Sequence, residues 1–310
     1  MDDQRDVAVV GLGSMGFGIA QSLLRAGHVT YGFDVNLDQT ARFVAEGGRT
    51  GTLDVVAKDV DALVVVVLNA AQTESVLFGP DGAVQHMRAG SVVLACATVP
   101  PDFARAMEAQ CSAFGVHYLD APISGGSKKA ALGALSVMAS GTDAGFEAAR
   151  PVLDAIAEQV FTLGNAAGAG SAMKSVNQLL AGVHIAAMAE AMTFGMTQGV
   201  KPDMFVEVIS QCAGTSWMLE NRAPHIVAGD YTPHSSVNIW PKDLGIVLDT
   251  ARAANFSAPI TAAALQQFLA AAGMGLGGED DAAVAKVYAR NAGLVLPEDN
   301  AQAAKASDDT

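Results

Sequence analysis

The stretch VAVVGLGSMG, residues 7–16, decides the fold of this 310-residue chain. Its first four residues, Val7 to Val10, are apolar and mostly β-branched, which predicts a short buried strand. A glycine-rich turn, GLGSMG, follows at once, and the amphipathic segment IAQSLLRAG at 19–27 predicts a helix with a glycine at its end. The segment Val29 to Phe33 then predicts the next strand. Strand, turn, helix and strand in this order form the β-α-β unit of a parallel sheet.

The same alternation continues to about residue 165. Further strands are predicted at 63–68, 91–96, 117–120, 136–140 and 160–163, with helices starting at Gln72 and spanning 101–114. Continuous apolar strands separated by helices are buried on both faces of their sheet. The fold class is therefore α/β, with a doubly wound sheet of Rossmann type.

Beyond residue 165 the pattern predicts only helices. They are expected at 171–199, 202–211, 244–254, 260–272 and 282–291. The chain is thus predicted to contain an N-terminal α/β domain over 1–165 and an all-α domain over 166–297. A flexible acidic tail is predicted over 298–310.

Composition narrows the classes of function. The chain is 51% hydrophobic and 16% charged, as in a compact globular protein, and its formal net charge of −14 disfavours binding to a phosphate backbone. The uncharged segment Ala62 to Ala71 is too short to span a bilayer, and the N-terminus has no secretory pattern. We therefore expect neither a nucleic-acid nor a membrane partner.

The cysteine pattern favours a reducing compartment. Cys96, Cys111 and Cys212 are scattered and form no CxxC motif, which suits reduced thiols in the cytoplasm. A catalytic cysteine has no supporting motif. No His, Cys or carboxylate cluster has the spacing of metal ligands, so no metal is expected.

The glycine-rich turn predicts a dinucleotide site. The motif GxGxxG follows a strand and opens a helix, so its backbone N–H groups can approach a pyrophosphate. Asp34, at the end of the second strand, is placed to accept hydrogen bonds from ribose hydroxyls and to repel a 2′-phosphate, and no Arg follows it closely. NAD is therefore favoured over NADP; the alternative is a tight turn that only packs. The predicted loop contacts are Gly11, Leu12, Gly13, Ser14, Met15 and Gly16.

Two later loops lie at the same carboxyl edge of the predicted sheet, where ligands bind in this architecture. Leu68 and Asn69 end one strand, and Thr98 follows the next. We expect these residues to contact the cofactor, with Thr98 near the nicotinamide end. The alternative is ordinary turn chemistry, because Asn and Thr are common loop residues.

The segment DAPISGGSKKA, residues 120–130, follows a strand and predicts a substrate subsite, with a flexible turn as the alternative. Ser124, Gly125 and Gly126 offer a hydroxyl and unhindered backbone N–H groups, which suit a carboxylate. Lys128 and Lys129 add positive potential or form a solvated surface.

A lysine interrupts the small and apolar helix segment GAGSAMKSVNQLL, residues 168–180. Lys174 and Asn177 are three residues apart and share one helix face. A lysine among such neighbours is costly to bury unless its charge is used. The alternative is a lysine that extends its ammonium to solvent.

Four ordered motifs, GLGSMG, DAPISGG, GAGSAMKSVN and KDLG, together resemble the β-hydroxyacid dehydrogenase family over about residues 6–295. The resemblance implies a Rossmann-type domain, a helical domain, and homodimers or homotetramers. It implies Lys174 as the general acid/base that exchanges a proton with the substrate hydroxyl. Asn177 would hold the substrate or orient the lysine. Lys242 would lie near nicotinamide and substrate, oriented by Asp243.

The resemblance is strongest to the members that oxidise carbon 2 of a four-carbon sugar acid with NAD. Alternatives are 3-hydroxyisobutyrate and tartronate semialdehyde as substrates. An NAD-binding sensor without turnover, or a structural helical protein, is a remoter alternative. Gln178 has no assigned role, and His184 is expected in the core. Trp217 and Trp240 are expected to pack or to lie at an interface rather than to contact a ligand.

Overall fold

The computed structural model describes residues 4–297. The predicted acidic tail at 298–310 lies outside the described residues. The chain divides into two compact units, Met1–Lys174 and Ser175–Thr310.

A five-stranded parallel sheet forms the centre of the first unit, with strand order β2-β1-β3-β4-β5. Its strands are β1 (Asp6–Val10), β2 (Val29–Phe33), β3 (Ala62–Val65), β4 (Val92–Ala95) and β5 (His117–Asp120). The order reverses at β1 and β3, as expected of a doubly wound sheet. The predicted fold class is confirmed.

Each face of this sheet has its own hydrophobic core. Val7 and Val9 of β1 belong to one core and Ala8 and Val10 to the other, because successive strand residues point to opposite faces. Helices cover both faces: α1 (Gly16–Arg25), α2 (Leu37–Ala45), α3 (Leu53–Val56), α4 (Ala70–Phe78), α5 (Pro101–Ala113), α6 (Gly126–Leu132) and α7 (Asp143–Ile156). A short 3-10 turn occupies Val84–His86.

The last two predicted strands exist, but they do not widen the parallel sheet. They are β7 (Leu135–Ala139) and β8 (Ala157–Thr162), and with β6 (Ile123–Ser124) they form a second sheet of order β6-β7-β8. The β6–β7 pair is antiparallel and the β7–β8 pair is parallel. Every residue of β8 is exposed or only partly buried, unlike the central strands of a doubly wound sheet. This second sheet places Ser124 at a strand end.

The second unit is helical, as predicted. Its helices are α8 (Ala169–Thr197), which starts in the first unit, α9 (Pro202–Ile209), α10 (Trp217–Ala228), α11 (Ile239–Ala253), α12 (Pro259–Ala271) and α13 (Ala285–Ala292). Helix α10 was not predicted from the sequence, and its interior contains Pro224. The Ser216 hydroxyl caps this helix by accepting from the Leu219 N–H at 3.1 Å.

Helix α8 supplies much of the second unit's core through Ile185, Met188 and Met192. Trp240 packs in the same core and stacks on Phe268 at 5.4 Å between ring centroids, so its predicted packing role is confirmed. Among the helices of residues 4–297, α8 alone is long and apolar enough to cross a membrane by length and composition. A core helix has the same properties.

Buried charges fix the segment that joins α12 to α13, which contains a π-helical turn (Ala272–Leu276) and a 3-10 turn (Asp281–Val284). The Asp281 carboxylate accepts from Arg222 Nε at 2.5 Å and from the Trp240 indole N–H at 3.0 Å. Its neighbour Asp280 contacts His225 Nδ1 at 3.0 Å. Both carboxylates are fully buried, so these partners compensate charges that would otherwise be very costly.

We predict that Asp281→Ala destabilises the protein by about 3–5 kcal/mol, because it leaves the buried Arg222 charge without its nearer carboxylate partner. The matched control is Glu279→Ala, which removes a more accessible ion pair with Lys286 and should cost about 0–1 kcal/mol. Urea unfolding measures both variants. Equal losses of unfolding free energy in the two variants would show that Asp281 does not compensate the buried Arg222 charge.

Candidate active site

The glycine-rich loop leaves room for a ligand at only one of its three glycines. A Cβ at Gly11, where φ is +95°, would lie 2.2 Å from the Val66 carbonyl oxygen, and a Cβ at Gly16 would lie 1.7 Å from the Gly11 oxygen. These two glycines are therefore required by close backbone contacts. A Cβ at Gly13 would meet nothing within 4 Å. The middle glycine leaves its backbone open to an approaching ligand.

That open backbone lines a cavity of about 600 Å³. The cavity is bordered by Leu12, Gly13 and Ser14 of the loop, by Asp34, and by Arg42 and Lys128. Helix α1 begins at this loop, so its positive N-terminal end adds to the attraction for a pyrophosphate. The open backbone, the helix end and the Asp34 carboxylate fit a dinucleotide.

Asp34 also braces the loop, which the sequence pattern did not predict. Its Oδ2 accepts from the Leu12 N–H at 2.6 Å and its Oδ1 accepts from the Asn36 N–H at 2.8 Å. Each carboxylate oxygen has a second lone pair. The side chain can therefore hold the loop and still accept hydrogen bonds from ribose hydroxyls.

Two cations share the cavity with Asp34, although no Arg follows it closely in the sequence. The guanidinium of Arg42 lies 4.0 Å from the centre of the Phe17 ring, and Lys128 lines another part of the wall. Lys129 instead pairs with Glu158 at 3.2 Å on the surface. The adjacent lysines 128 and 129 thus have different surroundings.

The edge residues of the next two strands have local partners. The Asn69 side chain caps α4 by accepting from the Gln72 N–H at 2.9 Å, and the Leu68 N–H donates to Gln72 Oε1 at 2.9 Å. Thr98 is half-buried between β4 and α5. Turn chemistry accounts for Asn69, and cofactor contacts of these residues stay predictions.

Lys174 is buried, with 9% of its surface exposed, and its Nζ donates to the Ile123 carbonyl at 2.9 Å. Ile123 immediately precedes Ser124, and Gly125 and Gly126 follow with φ of +133° and +77°. The structure therefore brings the lysine to the Ser-Gly-Gly segment, about 50 residues earlier in the sequence. An ammonium lies beside a backbone segment that suits a carboxylate.

A buried carboxylate, Asp120, holds the start of α8 in place. Its Oδ2 accepts from the N–H groups of Gly168 and Ser171 at 2.9 and 2.8 Å, and its Oδ1 accepts from the Ser171 hydroxyl at 2.6 Å. The Ser140 hydroxyl accepts from the Gly170 N–H at 2.9 Å. The N–H groups at a helix start need such acceptors, and their positive end stabilises the negative charge.

This role of Asp120 was not predicted from the sequence. The available signal was an aspartate at the end of a strand together with two glycines before a helix. Which helix start the aspartate reaches depends on how β5 and α8 pack, and no local pattern determines that.

The buried cysteines are poor nucleophiles. Burial, reinforced by repulsion from Asp120, raises the pKa of Cys96 to about 12, and burial with repulsion from Glu108 raises the pKa of Cys111 to about 12. Both thiols therefore stay protonated at neutral pH. Cys212 is exposed, and all three thiols are free.

A chain of polar contacts connects the predicted site residues of the second unit. Lys242 Nζ lies 2.6 Å from Asp243 Oδ1, and Gln178 Nε2 donates to Asp243 Oδ2 at 2.5 Å. Asn177 Nδ2 then donates to Gln178 Oε1 at 2.8 Å. Gln178, which had no predicted role, thus connects Asn177 to Asp243. His184 is half-buried on the same helix.

Residues 4–297 contain no group of three or more His, Cys, Asp or Glu side chains that could hold a metal ion.

Comparison with known proteins identifies the family. Residues 6–164 match the model of the NAD-binding domain of 6-phosphogluconate dehydrogenase. Residues 168–288 match the model described as NAD-binding of NADP-dependent 3-hydroxyisobutyrate dehydrogenase. The chain belongs to the β-hydroxyacid dehydrogenase family. As a member, it is an NAD-dependent oxidoreductase that acts on a hydroxy acid.

Several relatives match nearly the whole chain. An L-threonate dehydrogenase of Cupriavidus necator is 50% identical over 94% of this chain and 98% of its own length. An L-threonate dehydrogenase of Escherichia coli is 47% identical over 94% of this chain and 96% of its own length. A solved structure, described as a 3-hydroxyisobutyrate dehydrogenase from Salmonella typhimurium, is 48% identical, with a TM-score of 0.86 over 91% of this chain and 99% of that one.

We predict that Asp34→Ala weakens NAD binding and shifts the cofactor preference towards NADP. Removing the carboxylate removes its repulsion of a 2′-phosphate and leaves Arg42 and Lys128 in the same cavity to attract it. Fluorescence titration with NADH and NADPH measures the preference. The double variant Asp34→Ala/Arg42→Ala should lose most of the gain for NADPH. An unchanged preference in Asp34→Ala would assign the carboxylate to loop bracing alone.

We predict that Asp120→Ala destabilises the first unit by roughly 2–4 kcal/mol, because the N–H groups of Gly168 and Ser171 lose their acceptor. Asp120→Asn is the matched control, since its amide oxygen can still accept from both N–H groups. Thermal unfolding of the two variants should separate them clearly. Similar losses of stability in Asp120→Ala and Asp120→Asn would show that packing, rather than helix capping, accounts for the destabilisation.

The difference in unfolding free energy between Asp120→Asn and the wild type should also depend on pH. Burial raises the pKa of the Asp120 carboxyl, although hydrogen bonds from Ser171 and Gly168 act against the rise. The folded state then binds this proton more tightly than the unfolded chain, so wild-type stability falls as the pH rises between the unfolded and folded pKa values. In unfolding measurements over that interval, Asp120→Asn should gain stability relative to wild type as the pH rises.

Proposed function

We propose that this protein is an NAD-dependent L-threonate dehydrogenase, which oxidises carbon 2 of L-threonate to give 2-oxo-tetronate. The observation that carries the proposal is the buried Lys174 ammonium, held beside the Ser124 segment by its hydrogen bond to Ile123. That pairing suits a 2-hydroxy acid, because such a substrate presents a hydroxyl and a carboxylate on neighbouring carbons.

The roles of the side chains follow from this chemistry. NAD, when bound, would supply the acceptor for the hydride that leaves the substrate carbon. Lys174, as a neutral amine, takes the proton from the hydroxyl oxygen, and as an ammonium it returns the proton in the reverse direction. The backbone N–H groups at Gly125 and Gly126, with the Ser124 hydroxyl, bind the carboxylate.

Asn177 and Lys242 complete the proposed set. Asn177 is half-buried with a polar amide, and we assign it to the substrate. Lys242, held by Asp243, is assigned to the nicotinamide and substrate region. Lysine charge there would help to hold an anionic acid.

The choice of acid is supported by the relatives from Cupriavidus necator and Escherichia coli, both named L-threonate dehydrogenase. Chemistry agrees, since a trihydroxy acid needs more hydrogen-bonding groups than a methyl-bearing one. The second candidate is 3-hydroxyisobutyrate, which is favoured by the 48% identity to the Salmonella dehydrogenase described as acting on that acid.

A substrate panel tests the proposal. The absorbance of the reduced cofactor is followed with L-threonate, D-threonate, 3-hydroxyisobutyrate and glycerate, each with NAD and with NADP. We expect the highest kcat/KM with L-threonate and NAD. Higher kcat/KM with 3-hydroxyisobutyrate would replace L-threonate by the second candidate.

We predict that Lys174→Ala lowers kcat by about 10²–10⁴-fold, the usual contribution of general acid–base catalysis. NAD affinity should remain unchanged, since the glycine loop and Asp34 are intact. The control is addition of small primary amines, which should restore part of the lost rate to Lys174→Ala by replacing the missing proton acceptor. Wild-type turnover in the variant, or loss of NAD binding, would contradict this role.

We also propose that the protein is a homodimer or homotetramer in the cytoplasm, without nucleic-acid or membrane partners. Exposed apolar side chains on the second unit support self-association: Val176, Leu180 and Phe194 on α8, and Met204 and Val208 on α9. Light scattering after size-exclusion chromatography tests this, and a monomer at working concentration would reject it.

A further inference from the structure

We propose that Gln178 is a positioning residue that fixes the direction of the Asn177 amide, so that Asn177 presents its carbonyl oxygen to a hydroxyl of the substrate. This role rests on the proposed contact of Asn177 with the hydroxy acid. It makes Gln178 a determinant of the choice between hydroxyl-rich and methyl-bearing acids.

Gln178 is buried and hydrogen-bonded at both ends of its amide. Its side chain is 7% exposed and Asp243 is 2% exposed, so both have lost nearly all contact with water. The Gln178 amide donates to Asp243 Oδ2 at 2.5 Å through Nε2 and accepts from Asn177 Nδ2 at 2.8 Å through Oε1. A buried amide satisfied at both ends has a strongly preferred orientation.

The carboxylate of Asp243 sets the direction of these hydrogen bonds. The Lys242 ammonium lies 2.6 Å from Asp243 Oδ1, and the Gln178 side chain contacts the other carboxylate oxygen, Oδ2. A carboxylate oxygen accepts hydrogen bonds, so the group that Gln178 turns towards it is the NH₂ end. The carbonyl end of Gln178 then faces Asn177.

The same constraint applies at Asn177. A carbonyl oxygen only accepts, so Asn177 must turn its NH₂ end towards Gln178. Among residues 4–297, no donor bonds to the Asn177 Oδ1, and the side chain is only half-buried. The oxygen can therefore accept from an outside donor. A reversed Asn177 would place two acceptors in contact.

This direction matters for specificity. A substrate hydroxyl can donate to the Asn177 oxygen, whereas a methyl group at the same place leaves that oxygen without a donor. Sites built to bind a hydroxyl reject analogues that lack it, because a polar group is then left unpaired. The carboxylate of Asp243 thus acts on the substrate through two amides.

The test compares Gln178→Met with Gln178→His. Methionine has a similar length but provides neither strong donor nor strong acceptor, so the Asn177 amide is free to rotate. A neutral imidazole provides one donor and one acceptor, which preserves the direction from Asp243 to Asn177. The histidine variant is therefore the conservative rescue, and methionine is the control for filling the space.

We expect Gln178→Met to raise KM for L-threonate about tenfold, as for a lost hydrogen bond, with KM for NAD unchanged. The ratio of kcat/KM for L-threonate to that for 3-hydroxyisobutyrate should fall by a similar factor. Gln178→His should retain most of the wild-type ratio. If Gln178 had only a structural role, Gln178→Met would lower kcat/KM equally for both acids, or Gln178→His would lower the ratio as much as Gln178→Met. Either result overturns the proposal.

A second measurement does not depend on which acid the enzyme uses. The side-chain amide protons of Asn177 should exchange slowly with solvent in the wild type, as measured by NMR on labelled protein, and quickly in Gln178→Met. Gln178→His should keep the slow exchange. Unchanged exchange in Gln178→Met overturns the relay, whereas inactivity of the wild type on L-threonate overturns only the proposed function.

Discussion

The Asp120 carboxylate is the interaction on which the proposed catalytic lysine depends. A buried negative charge is tolerable only when donors surround it, and here the donors are the N–H groups of Gly168 and Ser171 with the Ser171 hydroxyl. These donors lie at the start of α8, about one turn before Lys174. The carboxylate therefore fixes the helix start, and the helix start determines where Lys174 meets the Ile123 carbonyl.

At the predicted cofactor site, a steric constraint determines the path of the glycine-rich loop. The loop after β1 passes so close to the Val66 carbonyl and to its own Gly11 oxygen that any side chain at Gly11 or Gly16 would collide with backbone. The tight path leaves Gly13 open to the cavity, and Asp34 holds the loop by accepting from the Leu12 N–H. The cavity wall is thus backbone at Gly13, whereas Asp34, Arg42 and Lys128 contribute charged side chains to it.

In each unit, a buried carboxylate orients its neighbours because it accepts hydrogen bonds and does not donate them. Asp120 accepts hydrogen bonds from backbone N–H groups, and Asp243 pairs with Lys242 and accepts from the NH₂ end of Gln178. Each carboxylate thereby fixes the direction of the groups beyond it. Asp120 thereby positions the start of the helix that bears Lys174, and Asp243 orients the Gln178 amide that contacts Asn177.

The sequence by itself determined the fold class, the dinucleotide loop, the helical second unit and the candidacy of Lys174. These features rest on local patterns: the period of apolar residues, the spacing of glycines after a strand, and a lysine that interrupts a small-residue helix. The candidacy of Lys174 rests also on the resemblance of its motif to the β-hydroxyacid dehydrogenases. The tertiary structure decided the separate sheet of β7 and β8, the presence of Arg42 and Lys128 in the cofactor cavity, and the contacts of Asp120 and Gln178. Each of these depends on which distant groups meet: 48 residues separate Asp120 from Gly168, and 65 separate Gln178 from Asp243. A local pattern shows that a polar side chain needs a partner, but only the packed chain determines which partner lies within hydrogen-bonding distance.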